Sequence, residues 1–66
     1  MQILFNDEPM QCADDITLAT LLDQLRQLKP GVALALNQQI LPREQWDIQQ
    51  VREGDQILLF QVIAGG

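Results

Sequence analysis

The residues whose types could do chemistry are few, and the most telling pair contains no reactive side chain. Gly65 and Gly66 follow closely on an alternating apolar segment. A glycine pair there adds neither packing nor strand propensity, so something other than folding selects it. The four residues 63–66 span about 13 Å when fully extended, enough to enter a cleft in another protein. Without Cβ atoms the two glycines can thread a narrow channel and approach a bound ligand closely. The α-carboxyl of Gly66 has a reference pKa of about 3.5, so at neutral pH it is an anion and a poor electrophile. To react it must first be activated, most simply as a mixed anhydride with AMP, and the activating site must belong to a partner. The competing expectation is a frayed polar end without chemistry.

The remaining residues argue against an enzyme. The chain has no histidine, which removes the side chain most used for proton transfer near neutral pH and the commonest metal ligand. No nucleophile stands beside a candidate base, so no catalytic residue, metal site or bound cofactor is expected. Nine acidic residues against four basic ones give a formal charge of −5. The counterion-release term that drives nucleic-acid binding then has the wrong sign, whereas a basic surface on another protein would be steered toward this one. Cys12, the single cysteine, is read as a small buried hydrophobe that cannot form an intrachain disulfide. Asp14 and Asp15 are read as complementing a helix dipole, Trp46 as core filling under an irregular loop, and Arg43 and Arg52 as solvated.

The elements that must position such a terminus follow from periodicity. With 66 residues, 47% apolar and 20% charged, the chain is expected to form one small globular domain with a modest core. Its longest apolar run, residues 32–36, is far short of the roughly 20 residues that cross a membrane as a helix. The first residues carry no basic stretch of a secretion signal, and the expected setting is the cytoplasm. Residues 1–6 alternate as a strand, Asp7-Glu8-Pro9 turns the chain, and residues 10–13 return as a second strand. Leu18, Leu21, Leu22, Leu25 and Leu28 form one apolar stripe of a helix, with Thr17 as N-cap, Ile16 as a staple onto Leu21, and Pro30-Gly31 as terminator. Residues 32–36 read as a central strand, Asn37-Gln38-Gln39 as a polar turn, and residues 40–41 as a short strand cut off by Pro42. Arg43-Glu44-Gln45-Trp46 reads as an irregular or single-turn connection, Glu53-Gly54-Asp55 as a turn, and residues 56–62 as the last strand.

A single helix covers one face of a small sheet. If Ile3, Phe5, Val32, Leu34, Leu36, Ile57 and Leu59 face the leucine stripe, then Leu4, Leu58, Phe60 and Val62 are left on the far side. A contiguous exposed apolar patch of that kind marks a partner surface, with Leu58, Phe60 and Val62 as its centre.

Six segments in order carry a resemblance. They are Met1-Gln2-Ile3, Thr17-Leu18 leading into Leu21-Leu22, Ala35-Leu36-Asn37, Leu41-Pro42-Arg43-Glu44-Gln45-Trp46, Glu53-Gly54-Asp55-Gln56-Ile57, and Ala64-Gly65-Gly66. Together, from end to end, they make the chain resemble the small sulfur carriers of bacterial thiamine biosynthesis (ThiS), which are ubiquitin-like β-grasp proteins. Two positions depart from the common pattern: Gln38 stands in a turn where many relatives have glycine, and Ala64 where a third glycine is frequent.

The resemblance implies an α+β fold, a small mixed sheet of four to five strands packed on one helix, occupying residues 1–62 with a tail of residues 63–66. It implies a protein substrate rather than a catalyst. The Gly66 carboxylate would be adenylated by a ThiF-like enzyme that uses ATP and converted to a thiocarboxylate, with Ala64 and Gly65 completing the tail. A cysteine desulfurase would supply the sulfur, often through a persulfide relay, and thiazole synthase would accept it. Two alternatives stay open: a related carrier, such as the small subunit of molybdopterin synthase or a tRNA-thiolation carrier, and a ubiquitin-like binding module whose tail does no chemistry.

Overall fold

A computed structural model describes residues 1–61. The expected site positions Val62, Ala64, Gly65 and Gly66 lie outside the described residues, as does the boundary between domain and tail. The elements are β1 (Gln2–Phe5), β2 (Glu8–Gln11), α1 (Leu18–Gln24), β3 (Val32–Leu36), β4 (Gln39–Ile40), a 3₁₀ turn (Arg43–Gln45) and β5 (Gln56–Gln61). They form one five-stranded sheet in the order β2-β1-β5-β3-β4. β1 and β5 run parallel and every other neighbouring pair is antiparallel. A mixed sheet with one helix across it is the expected β-grasp arrangement.

The core follows the period-2 pattern. Ile3, Leu34 and Ile57 are fully buried beneath the helix residues Leu18, Leu21 and Leu22, with Phe5, Val32, Leu36 and Leu59 packed at the margins. Ile16 and Leu21 lie in the same cluster, as expected of a staple. The Thr17 hydroxyl accepts the Thr20 N–H at 3.2 Å, the N-cap bond read from the sequence.

The structure corrects three local expectations. The first hairpin turns at Asn6-Asp7, both at positive φ (51° and 67°), so β2 begins at Glu8, earlier than residues 10–13. Two central residues at positive φ give the turn whose twist matches that of paired strands. Pro9 is therefore inside β2 opposite Leu4, tolerated because β2 is an edge strand whose outer side needs no N–H.

The helix ends at Gln24 rather than reaching Leu28. Arg26 takes the left-handed conformation (φ 59°), the Gln27 N–H bonds back to the Leu22 carbonyl at 2.8 Å, and the Arg26 N–H bonds to that of Asp23 at 3.0 Å. This is a Schellman termination with arginine where glycine is usual, and it leaves Leu28 exposed.

The third correction concerns β4, which is Gln39–Ile40 rather than residues 40–41, because the turn before it is the two residues Asn37-Gln38, with Leu36 paired to Gln39. Asp14 and Asp15 stand just before the N-cap, as read. The helix start is joined to residues 46–51. The Gln49 carbonyl accepts the Leu18 N–H and the Trp46 carbonyl accepts the Ala19 N–H, each at 3.0 Å, while the Val51 N–H donates to Ile16 at 2.8 Å. Trp46 is core filling as expected, 2% exposed, and its indole N–H donates to the Leu41 carbonyl at 3.0 Å.

Candidate functional site

β5 is the last strand of the described residues, and both of its edges are paired. β3 pairs along it from Val32↔Gln61 to Leu36↔Ile57, and β1 pairs at Leu4↔Gln56 and Phe5↔Ile57. Beyond the last residue of β1, the Asn6 side-chain oxygen accepts the Leu59 N–H at 2.9 Å and so continues the ladder. Asn37, first residue of the β3–β4 turn, plays the same part at the other end. Its side-chain oxygen accepts the Gln56 N–H at 2.9 Å while its amide donates to the Asp55 carboxylate at 3.1 Å. Asn37 and Gln38 both have positive φ (51° and 72°), so the turn is of the same kind as Asn6-Asp7, built here without glycine.

Alternation along β5 sends Ile57 and Leu59 into the core and Leu58 and Phe60 to the opposite face, where they are 39% and 44% exposed. Residues paired across a strand ladder share a face. Leu58 therefore lies beside Ala35, Ala35 beside Ile40, and Phe60 beside Ala33. Leu4 joins the same face through Gln56. The structure thus brings Leu4, Leu58 and Phe60 together as expected and adds Ile40, 64% exposed, which the sequence reading placed in a short strand without assigning it a face. The signal was available: a two-residue turn at Asn37-Gln38 fixes the register that sets Ile40 against Ala35. A shallow depression of about 140 Å³ lies beside this face, lined by Leu4, Asp7, Gln38, Gln56, Ile57 and Leu58.

On the helix side, Arg43 is exposed but tethered rather than simply solvated. Its guanidinium donates to the Lys29 carbonyl at 2.8 Å and lies 5.0 Å from the Trp46 ring centroid. Cys12 is half-buried against the core. Burial pushes its thiol above the ordinary value, opposed by the Met1 ammonium and reinforced by Asp14, Glu53 and Asp55. That is the direction opposite to an activated thiolate. Among the described residues no group of three or more acidic or cysteine side chains could hold a metal ion, and no helix is long and apolar enough to cross a membrane.

What this arrangement can do is present an apolar sheet face on the last described strand, which ends five positions before Gly66 in the sequence. The chain is 67% identical over 66 residues to the sulfur carrier protein ThiS of Escherichia coli (strain K12), with all of both chains covered. A crystal structure of the thiamine biosynthesis protein ThiS from Geobacter metallireducens overlays with a TM-score of 0.89 at 28% identity, each chain covered completely. A solution structure of a thiamine biosynthesis protein from the same organism gives 0.76 at 27% identity, covering all of this chain and 88% of that one. The model of the ThiS family matches residues 3–66, and with it the chain belongs to the ThiS family.

Proposed function

We propose that this chain is a sulfur carrier in thiamine biosynthesis, a protein substrate rather than an enzyme, whose reacting group is the Gly66 carboxylate. The observation that carries the reading is its full-length identity of 67% to a protein named as a sulfur carrier. In this reading the Gly66 carboxylate attacks the α-phosphorus of ATP within a ThiF-like partner and releases pyrophosphate. The acyl adenylate then has AMP as leaving group, and a sulfur nucleophile displaces it at the acyl carbon. Where a cysteine desulfurase delivers the sulfur as a persulfide, the product is an acyl disulfide. A thiol must then cleave it, leaving the thiocarboxylate on Gly66 and a disulfide on the thiol side. Thiazole synthase takes the sulfur from there. The chain binds no cofactor of its own, and ATP is consumed by the partner.

The fold's part is positional. Leu58, Phe60 and Val62 dock on the partner, and Ala64, Gly65 and Gly66 offer little side-chain bulk to a narrow channel. A cytoplasmic setting fits a carrier whose one cysteine stays a thiol.

The test is transfer. The sulfurated protein is offered separately to thiazole synthase and to the large subunit of molybdopterin synthase, beside a variant lacking Gly66. Turnover with thiazole synthase alone, abolished in the shortened variant, supports the reading. Acceptance by the molybdopterin enzyme alone contradicts the thiamine assignment, and biological activity that survives loss of Gly66 contradicts the carrier chemistry.

A further inference from the structure

The depression of about 140 Å³ beside the apolar face brings three polar side chains, Asp7, Gln38 and Gln56, together with Leu4 and Leu58. Two turns deliver the polar groups from opposite flanks of β5: Asp7 from the β1–β2 turn and Gln38 from the β3–β4 turn, while Gln56 opens β5 itself. Both turn residues sit at positive φ, 67° and 72°. Glycine would hold either position without strain, and it would leave the hollow without its carboxylate or one of its amides.

The chain itself does not satisfy these groups. Among the described residues the side chains of Asp7, Gln38 and Gln56 make no hydrogen bond, and the one ion pair joins the Met1 ammonium to Asp14. Residues 62–66 carry no basic side chain. The next residue, Glu8, adds a second negative charge but not to this face. It pairs with Phe5, which packs against the core, and so stands on the helix side of the sheet.

Size and charge decide the occupant. Small-molecule sites hold roughly 300–1,000 Å³, so a hollow of about 140 Å³ is filled by a single side chain. The Asp7 carboxylate turns away a phosphate or an acidic side chain. Carboxylate and amide oxygens offer acceptors for a cationic head, and Leu4 and Leu58 offer apolar surface to a methylene stem. Resting on the carrier reading, we infer that this hollow receives one lysine or arginine side chain of the adenylating partner, with its charge on Asp7 and its stem along Leu4 and Leu58. Leu58 belongs to both the hollow and the docking face, so the two are continuous. Apolar contact at Phe60 supplies affinity without fixing register, and a charge-assisted bond at one point of the face fixes it.

The experiment is ATP–pyrophosphate exchange by the adenylating enzyme with the full-length carrier, comparing Asp7→Asn with Glu8→Gln. Both remove one negative charge from neighbouring positions, one in the hollow and one on the other face. Asparagine is accepted at positive φ and still offers an oxygen acceptor, so Asp7→Asn reports the charge and not the turn. Urea denaturation confirms that each variant is folded. The expected result is a rise of roughly tenfold in KM for the Asp7→Asn carrier that persists at about 0.5 M salt, because the pair is enclosed in the complex, with kcat and the KM for ATP unchanged. Glu8→Gln changes KM by less than about twofold, and that change disappears at the higher salt. Gln38→Gly, which keeps the turn and removes one amide, raises KM about threefold.

Equal effects of Asp7→Asn and Glu8→Gln would overturn the site, because net charge alone would then explain them. An Asp7→Asn effect that salt abolishes would also overturn it, since long-range steering and not an enclosed pair would be its source. If Phe60→Ala raises KM while Asp7→Asn and Gln38→Gly do not, the docking face stands and the cation site fails. If the wild-type chain supports no exchange with an enzyme active on a known carrier, the carrier reading itself fails and the site with it.

Discussion

Replacing Phe60 by alanine separates docking from chemistry. Phe60 is 44% exposed, so about 90 Å² of an aromatic side chain of roughly 200 Å² remains to be covered by a partner. At about 25 cal/mol per Å² that area corresponds to about 2 kcal/mol, or roughly a 30-fold weaker complex on truncation. The Gly66 carboxylate and the strand leading to it are unchanged, so the loss belongs to binding and not to the adenylation step. Steady-state exchange with the adenylating enzyme should show KM for the carrier raised roughly 30-fold with kcat near wild type. Part of the ring packs within the chain's own surface, so the variant should also lose up to about 1 kcal/mol of fold stability, measured by urea denaturation to keep the two effects apart. An unchanged KM in a folded variant would refute the assignment of this face to docking. A fall in kcat alone would move Phe60 from the docking surface to the positioning of the tail.

Other outcomes follow from the same geometry. Gln38→Gly relieves a side chain held at φ 72°; the left-handed penalty of about 1–2 kcal/mol, less the added freedom of glycine in the unfolded chain, leaves a gain of about 0.5–1 kcal/mol. Thermal melting should shift upward by roughly 2–8 °C, and a downward shift would contradict the turn. Trp46→Ala removes a buried ring and strands the Leu41 carbonyl; at about 3–5 kcal/mol it should consume much of the stability of a chain this small, and urea denaturation would show it. Trp46→Phe, which loses the indole N–H but keeps most of the ring, should cost only about 1–2 kcal/mol. Because burial holds the Cys12 thiol above its ordinary value, the folded protein should react with iodoacetamide more slowly near pH 8 than the protein in denaturant. The same raised value means that the folded state binds the proton more tightly. Cys12 therefore contributes stability that is present below the unfolded thiol value and declines as pH rises through the folded one. Cys12→Ser should flatten that alkaline decline in melts recorded across pH.

Much of the fold was legible because its governing signals are local. The leucine stripe, the Thr17 cap and the alternation of β5 each follow from a short window of sequence, and burial of Ile3, Leu34 and Ile57 on one face followed from counting one helix against one sheet. What was missed depends on backbone conformations that residue type conceals. Asn6-Asp7 and Asn37-Gln38 turn at positive φ without glycine, and Arg26 ends the helix where glycine would have announced the stop. The part played by residues 46–51 in capping the helix went unread for a different reason. Their carbonyls cap a helix nearly thirty positions earlier in the chain, and Val51 enters the core with them, which no short-range pattern records. At the candidate site, Leu58 and Phe60 were readable from period alone, whereas Ile40 needed the hairpin register.

The central claim concerns the Gly66 carboxylate, and mass spectrometry tests it most directly. The protein is incubated with ATP, a sulfur source and the adenylating enzyme, then digested with trypsin. Cleavage after Arg52 releases residues 53–66, which contain neither methionine nor cysteine, so oxidation at Met1 or Met10 and adducts at Cys12 cannot imitate the product. The account predicts a sulfur-for-oxygen exchange located at Gly66 and dependent on ATP. An unmodified peptide, with the same enzyme converting a known carrier in parallel, would contradict it.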